Sequence, residues 1–389
     1  MPLFFAVTSR GLQEALVEEL SELGAKKIEK GPGGAYFETT WEGCYRVNLE
    51  SRIASRILKP VLDFTAYDGE ELYGQVRRHD FTKYIDLNQT FKVESVVQDS
   101  KIHDQRFVAM KVKDAIVDQF RELSGERPNV ETGDPDFKVF VRGYKNQFQV
   151  SIDTSGDALF MRGYRREAGL APMKENLAAG LIRLTGWQKD IPIVDPMCGS
   201  GTILIEAALM AMNVSPGSLR RGFGFENLKE FDEAVYDRVI DSVADAEKTE
   251  LPFKFYGYDT DRKVLQNAKD NAKRAGVDHL IEFRNESVAT LRPPEGVTKG
   301  MIITNPPYGT RIGDEDNLKD LYRDLGHTLK HNFQGWQAWL LSGNKDLILE
   351  MKLKASKRHS IFNGPLECKF LCYDMFAGAL DSRTFKRDI

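Results

Sequence analysis

The sequence predicts a chain in two parts, a small α+β amino-terminal half followed by an α/β domain built on a parallel sheet wrapped by helices. Three observations carry this reading. Helices and short strands alternate irregularly over the first 155 residues, as in small mixed units. From about residue 175, short apolar strands alternate regularly with helical segments. Three turns marked by glycine, acid or proline follow those strands directly, at the carboxyl edge where open parallel sheets bind ligands. The expected domains are 1–65, 66–155 and 156–389.

The elements follow in order. Residues 4–8 read as a strand and 10–24 as an amphipathic helix, with Leu12, Leu16, Leu20 and Leu23 on one face and Gly24 as its stop. A strand at 35–38 precedes a helix running through Val47, Ile53 and Ile57. In the second unit, 91–97 is β-like. Residues 105–123 form a helix with Val108, Val112, Ala115, Ile116, Phe120 and Leu123 three and four apart. Strands at 137–141 and 148–152 meet in a turn at Lys145-Asn146. The parallel sheet takes strands 191–194, 255–258, 300–304 and 338–342.

Composition bounds the function. The 389 residues are 41% hydrophobic and 29% charged, as in soluble globular proteins. No apolar run reaches the ~18 residues of a membrane span. The start, Met-Pro-Leu-Phe-Phe-Ala-Val-Thr, lacks a basic segment and reads as a strand, not a signal peptide. Cys44, Cys198, Cys368 and Cys372 are too scattered for a disulfide framework or a zinc site, and the six histidines form no metal set. A cytoplasmic protein without metal or membrane is expected. The net charge is −4. Residues 1–165 carry 23 Lys+Arg against 26 Asp+Glu, and 166–389 carry 31 against 32, so a nucleic-acid partner would be held by local patches. Arg220-Arg221-Gly222-Phe223-Gly224-Phe225 is one such patch, or else a solvated loop.

Chemistry concentrates at three strand ends. The first is Asp195-Pro196-Met197-Cys198-Gly199-Ser200-Gly201-Thr202, leading into a helix over 203–212. Gly199 and Gly201 let backbone approach a ligand, and the helix start offers free N–H groups. No Walker lysine is present. Cys198 lies inside this loop and reads as packing rather than as a nucleophile. The second is Gly257-Tyr258-Asp259-Thr260-Asp261. Asp259 can accept from two ribose hydroxyls, and Asp261 reads as a helix N-cap. A dinucleotide fold places that acid about 20 residues on. Here it stands 64 residues after Asp195, so an insertion over 213–252, helical in pattern, is expected. The third is Asn305-Pro306-Pro307-Tyr308-Gly309. Two prolines fix the chain and remove donors, leaving acceptors. The Asn305 side-chain oxygen and the Pro306 carbonyl can receive the hydrogens of an –NH2 group, and Tyr308 can stack on a flat base or amide. Positioning of this kind needs neither metal nor covalent intermediate.

These three motifs, in this order, resemble the Rossmann-like class I methyltransferases that modify amino nitrogens. The resemblance implies S-adenosyl-L-methionine as cofactor, held by Asp195, Gly199, Gly201 and Asp259, with Asn305, Pro306 and Tyr308 at the acceptor. Ser155-Gly156-Asp157-Ala158-Leu159, Arg162-Gly163-Tyr164-Arg165, Ala171-Pro172-Met173-Lys174-Glu175 and Leu177-Ala178-Ala179 resemble the junction between a THUMP domain and its methyltransferase domain. With Gly364-Pro365-Leu366 they resemble the RlmL-type family of 23S ribosomal RNA guanine-N2 methyltransferases. That family implies a ferredoxin-like subdomain over 1–65, an RNA-binding THUMP domain over 66–155 and the catalytic domain over 156–389. The implied partner is 23S ribosomal RNA or a large-subunit assembly intermediate, and the implied reaction is methylation of guanine N2. Some members carry a second methyltransferase domain; this sequence stops at Ile389, so only the guanine-N2 activity carries over. Members also place an acid against adenine after the third strand, where Ser287 stands here with Glu286 beside it. The Asn-Pro-Pro-Tyr run alone equally fits another RNA base, DNA adenine or a protein glutamine, and a ribosome-assembly RNA binder without catalysis is the alternative from a different class.

Overall fold

Two seven-stranded sheets organise the described residues. The computed structural model describes residues 1–165, 173–308 and 315–376, so Ala171, Pro172, Gly309 and Ile389 lie outside the described residues. Two units emerge: Met1–Thr8, Leu16–Met161 and Pro216–Asp245 in one, Ser9–Ala15, Arg162–Ser215 and Ala246–Ile389 in the other.

Over the first 65 residues, β1 (Leu3–Val7), α1 (Gln13–Glu22), β2 (Lys26–Gly31), β3 (Gly34–Glu38), α2 (Trp41–Glu50) and β4 (Arg56–Thr65) follow a βαββαβ order. Their antiparallel strand order β2-β3-β1-β4 is the ferredoxin-like one. Next come α3 (Gly69–Arg78), β5 (Phe91–Gln98), α4 (Gln105–Ser124), β6 (Phe137–Tyr144) and β7 (Gln147–Asp153). Strand β4 pairs β1 on one side and β7 on the other, so both amino-terminal stretches share one sheet, β2-β3-β1-β4-β7-β6-β5. Asp104 caps α4 by accepting from the N–H groups of Arg106 and Phe107, and Gly125 ends it at φ +75°. Lys145 (φ 50°) and Asn146 (φ 64°) make the expected tight turn between β6 and β7.

The helix expected to run through Ile57 stops earlier. Ser51 leaves helical geometry at φ −64°, ψ 124°, its hydroxyl donates to the buried Glu19 carboxylate at 2.6 Å, and Ile57 lies in β4. Ile53 and Ile57 are buried all the same, which is why their spacing mimics a helix face. Strand β2 was not anticipated, because Lys-Lys-Ile-Glu-Lys-Gly is a polar edge strand without alternation.

The remaining elements are α5 (Glu175–Leu184), β8 (Ile193–Asp195), α6 (Thr202–Ala211), α7 (Glu233–Ala244), β9 (Phe255–Asp259), α8 (Arg262–Arg274), β10 (Ile281–Asn285), β11 (Met301–Thr304), α9 (Glu315–Asn332), β12 (Gln337–Ser342), α10 (Lys345–Glu350), β13 (Lys357–Asn363) and β14 (Leu366–Asp374). The second sheet runs β10-β9-β8-β11-β12-β14-β13. Its first five strands are parallel, and β14 and β13 add an antiparallel hairpin. The chain moves outward from β8 to β10 and returns to place β11 beside β8. The strand order reverses between those two, at the crevice where such sheets bind ligands. Helix α6 is buried at all ten positions, as its largely apolar sequence requires; its one charged residue, Glu206, is paired. One core cluster joins Val194, Ile302 and Leu340 of the sheet to Tyr322, Leu325 and Leu329 of α9. Among the described residues no helix is long and apolar enough to cross a membrane.

The expected insertion packs with the first unit, and its long helix is α7 alone. Its basic–aromatic run is structural. Arg220 donates to the backbone carbonyls of Ser155, Asp157, Ala158 and Met161 at 2.8–3.2 Å. Phe223 and Phe225 are buried and stacked, 5.1 Å between centroids. Arg220→Ala strips several carbonyls of a charged donor, and we expect it to lower unfolding free energy by about 2–4 kcal/mol in urea titration. Unchanged stability with weakened RNA binding would restore the nucleic-acid reading of this run.

Candidate active site

Asp195 ends β8 and is only 2% exposed. Its Oδ1 accepts from the Thr304 hydroxyl at 2.7 Å and from the Met197 N–H at 3.1 Å. Thr304 ends β11, so this hydrogen bond spans the point where the strand order reverses. Burial pushes the Asp195 carboxyl up to about 7, against the pull of those two donors, and nearby Asp259 adds to the rise. Beyond Asp195 the chain turns through Gly199 (φ +53°) and Gly201 (φ +81°) into α6. Only glycine adopts that backbone without strain. Among the described residues, and apart from its own chain neighbours, no atom lies within 4 Å of where a Gly199 Cβ would stand, so the loop has open space in front of it.

Asp259 ends β9 and reaches back to this loop. Its Oδ2 accepts the Gly199 N–H at 3.0 Å, and its Oδ1 accepts the Asp261 N–H at 2.9 Å. Each carboxylate oxygen has a second acceptor site, so ribose hydroxyls can still be received. The Cys198 N–H donates to the Tyr258 carbonyl at 2.9 Å, a second tie between the two strand ends. Asp261 caps α8 through Lys263 and Val264, as its position suggested. Cys198 is buried and its thiol is pushed well above its ordinary range by burial, which fits a packing role.

Asn305 follows β11 directly. Its side-chain Oδ1 is buried and has no hydrogen-bond partner among the described residues. An unpaired buried acceptor is costly, and one at the mouth of the strand-order reversal points to a donor that arrives with a ligand. Pro306 is buried and Pro307 exposed. Tyr308 is half-buried against the core cluster, and its hydroxyl accepts from Asn363 Nδ2 at 3.0 Å. The structure therefore links Asp195, Gly199, Asp259 and, through Thr304, the strand bearing Asn305. Gly201 serves as the N-cap of α6. Ser287 is exposed and accepts the Ala289 N–H at 3.3 Å, a local turn after β10.

Several supporting residues escaped the sequence reading. Asn271 donates to the Ser200 carbonyl at 3.1 Å, and Arg274 donates to Asn271 Oδ1 and to the Tyr164 carbonyl, both at 2.6 Å. The junction motif thus leads into the glycine loop. Arg165 donates to the Thr202 hydroxyl at 2.5 Å, the first residue of α6, and lies 3.6 Å from the Glu175 carboxylate. Arg162 lies 3.6 Å from the Glu206 carboxylate, with both side chains at most 1% exposed. Tyr164 donates to the same carboxylate at 3.2 Å. Burial pushes Glu175 up to about 7. Only the Arg-Gly-Tyr-Arg and Lys-Glu spacing hinted at this network.

The Asp195 shift has a defined sign. An unfolded chain releases this proton near the ordinary carboxyl range, about 4, and the folded chain near 7. Stability drawn from this site is therefore lost as pH rises between those values. Asp195→Asn keeps an acceptor for Thr304 without the charge. We expect the variant's Tm relative to wild type to be more favourable at pH 8 than at pH 5, without added cofactor. A difference independent of pH would contradict the buried-carboxyl account.

Comparison with known proteins shows the family. Residues 162–371 match a family described as RMKL-like, methyltransferase domain; residues 66–153 match the THUMP domain and residues 3–58 the RlmL ferredoxin-like domain. The "Ribosomal RNA large subunit methyltransferase K/L" of Syntrophotalea carbinolica is 39% identical over 381 residues, covering 96% of this chain and 53% of that protein. The chain thus spans about half the length of the curated relatives of that name. A protein of Synechocystis named "Putative RNA methyltransferase" is 36% identical over 373 residues, covering 96% of this chain and 97% of its own length. A crystal structure titled as a "putative methyltransferase complexed with SAH" superposes with TM-score 0.87 at 31% identity, covering 97% of this chain and 99% of that one. With its ferredoxin-like start, THUMP domain and strand-end glycine loop, the chain belongs to the RMKL-like methyltransferase family.

Proposed function

We propose that this chain is an S-adenosylmethionine-dependent ribosomal RNA methyltransferase whose acceptor is the exocyclic N2 of a guanine in 23S ribosomal RNA. The observation that carries the reading is the buried, unpartnered Oδ1 of Asn305 at the end of β11. The family, the relatives named for large-subunit ribosomal RNA and the neighbour solved with SAH support it. The guanine rests on the resemblance to the RlmL-type family; the Asn-Pro-Pro-Tyr run specifies only a planar amino group.

The residues present fit the cofactor. Gly199 and Gly201 allow backbone to approach it, Asp259 has acceptor capacity for its ribose hydroxyls, and Asp195 fixes the loop from below. When bound, S-adenosylmethionine supplies an electrophilic methyl group on its sulfonium. On the acceptor side, Asn305 Oδ1 and the Pro306 carbonyl receive the two amino hydrogens, which turns the nitrogen lone pair out of conjugation with the ring. Tyr308 clamps the base plane. Rate enhancement comes from this positioning and from preorganised dipoles. The THUMP-bearing half supplies RNA affinity.

Labelled S-adenosylmethionine supplied with undermodified ribosomal RNA should place label in guanine of that RNA. Label only in DNA or protein would overturn the RNA reading. Asn305→Ala should lower methyl transfer by about 100-fold or more while affinity for S-adenosylhomocysteine, measured by calorimetry, stays near wild type. A matching loss of affinity would make Asn305 a structural residue.

A further inference from the structure

Strands β13 and β14 meet in a two-residue turn, Gly364-Pro365, closed by the pair Asn363 and Leu366. Gly364 stands at φ +62°, which the first position of such a turn requires. Because β13 lies parallel to the central strands, this tip falls at the carboxyl edge of the sheet. Asn363 there donates from Nδ2 to the Tyr308 hydroxyl at 3.0 Å, across 55 residues of sequence. The Cys368 thiol stands beside the same phenol. Leu366 closes over Gly343, just beyond β12, where an added Cβ would fall 2.8 Å from Leu366 Cδ2 and 3.4 Å from Tyr308 Cδ2. The tyrosine is thus held at its ring by packing and at its hydroxyl by the hairpin.

We propose that Asn363 is a positioning residue for the acceptor: by tethering the phenol it presets the plane of the Tyr308 ring before a base arrives. This rests on the reading of Tyr308 as the aromatic clamp. Packing on one side of the ring leaves its hydroxyl end unanchored without Asn363, and a flat base gains stacking only on a ring already in place. Removing the tether should weaken use of the RNA and leave the cofactor side, built from β8 and β9, untouched.

The test uses the full chain, undermodified ribosomal RNA and S-adenosylmethionine. Asn363→Ala should lower kcat/KM for RNA by about tenfold with unchanged KM for S-adenosylmethionine and unchanged affinity for S-adenosylhomocysteine. Asn363→Asp, whose carboxylate accepts from the phenol O–H, should recover most of the loss and controls for a hairpin that fails to fold. In a Tyr308→Phe background, Asn363→Ala should add nothing, because the tether is already gone. Losses that multiply in the double variant, a fall in S-adenosylhomocysteine affinity, or wild-type activity of Asn363→Ala would each overturn the proposal. Full activity of Tyr308→Ala would instead sink the clamp reading beneath it.

Discussion

The Gly199 N–H donates to the Asp259 carboxylate at 3.0 Å, and that bond joins the loop after β8 to the end of β9. Two glycines in left-handed geometry make the loop open to a ligand but also entropically costly to order. Asp259 offsets that cost. It takes one N–H from the loop and one from Asp261, which in turn caps α8. Asp195 does the same across the other side of β8, holding Thr304 of β11. Two acids at two adjacent strand ends therefore set the height of the loop, the start of a helix and the position from which Asn305 departs. A group that orders the protein in this way and keeps lone pairs free is well suited to receive ribose hydroxyls.

The sheet that carries these groups was legible because its central strands are buried on both faces and read as plain apolar runs. The glycine loop, Asp259 and the Asn-Pro-Pro-Tyr run were legible because each follows such a run directly. Elements at the margins were not. Strand β2 is polar and at an edge, and β13 begins Lys-Arg-His with little alternation, so neither left a period-two signature. Helix α2 was overextended because Ser51, a weak signal in sequence, is captured by Glu19 from 32 residues away. Of the site, the residues proposed to touch ligands stand out in the sequence, and those that hold them do not. Asn271, Arg274, Thr304 and Asn363 act through single long-range hydrogen bonds that no local pattern encodes.

The junction motif shows what such support consists of. Arg162, Tyr164 and Glu206 form a buried charged group beneath α6, and Arg165 ties Glu175 to Thr202. Buried ion pairs add little net stability compared with apolar packing, but breaking one member is expensive. Their value here is geometric: they fix the helix start that faces the glycine loop, and Arg274 and Asn271 continue the path to Ser200. Arg220 does comparable work in the other unit, gathering the carbonyls of residues 155–161. Much of the charge in this chain is used for construction, which explains why net charge said so little about a partner.

The central claim is that Asp259 both holds the loop and receives the cofactor. Calorimetric titration of the wild-type chain and of Asp259→Ala with S-adenosylhomocysteine tests it most directly. The account predicts saturable one-site binding by the wild type and a loss of affinity of about tenfold or more in the variant. Absence of saturable binding by the wild type, or equal affinity of the two proteins, would contradict it.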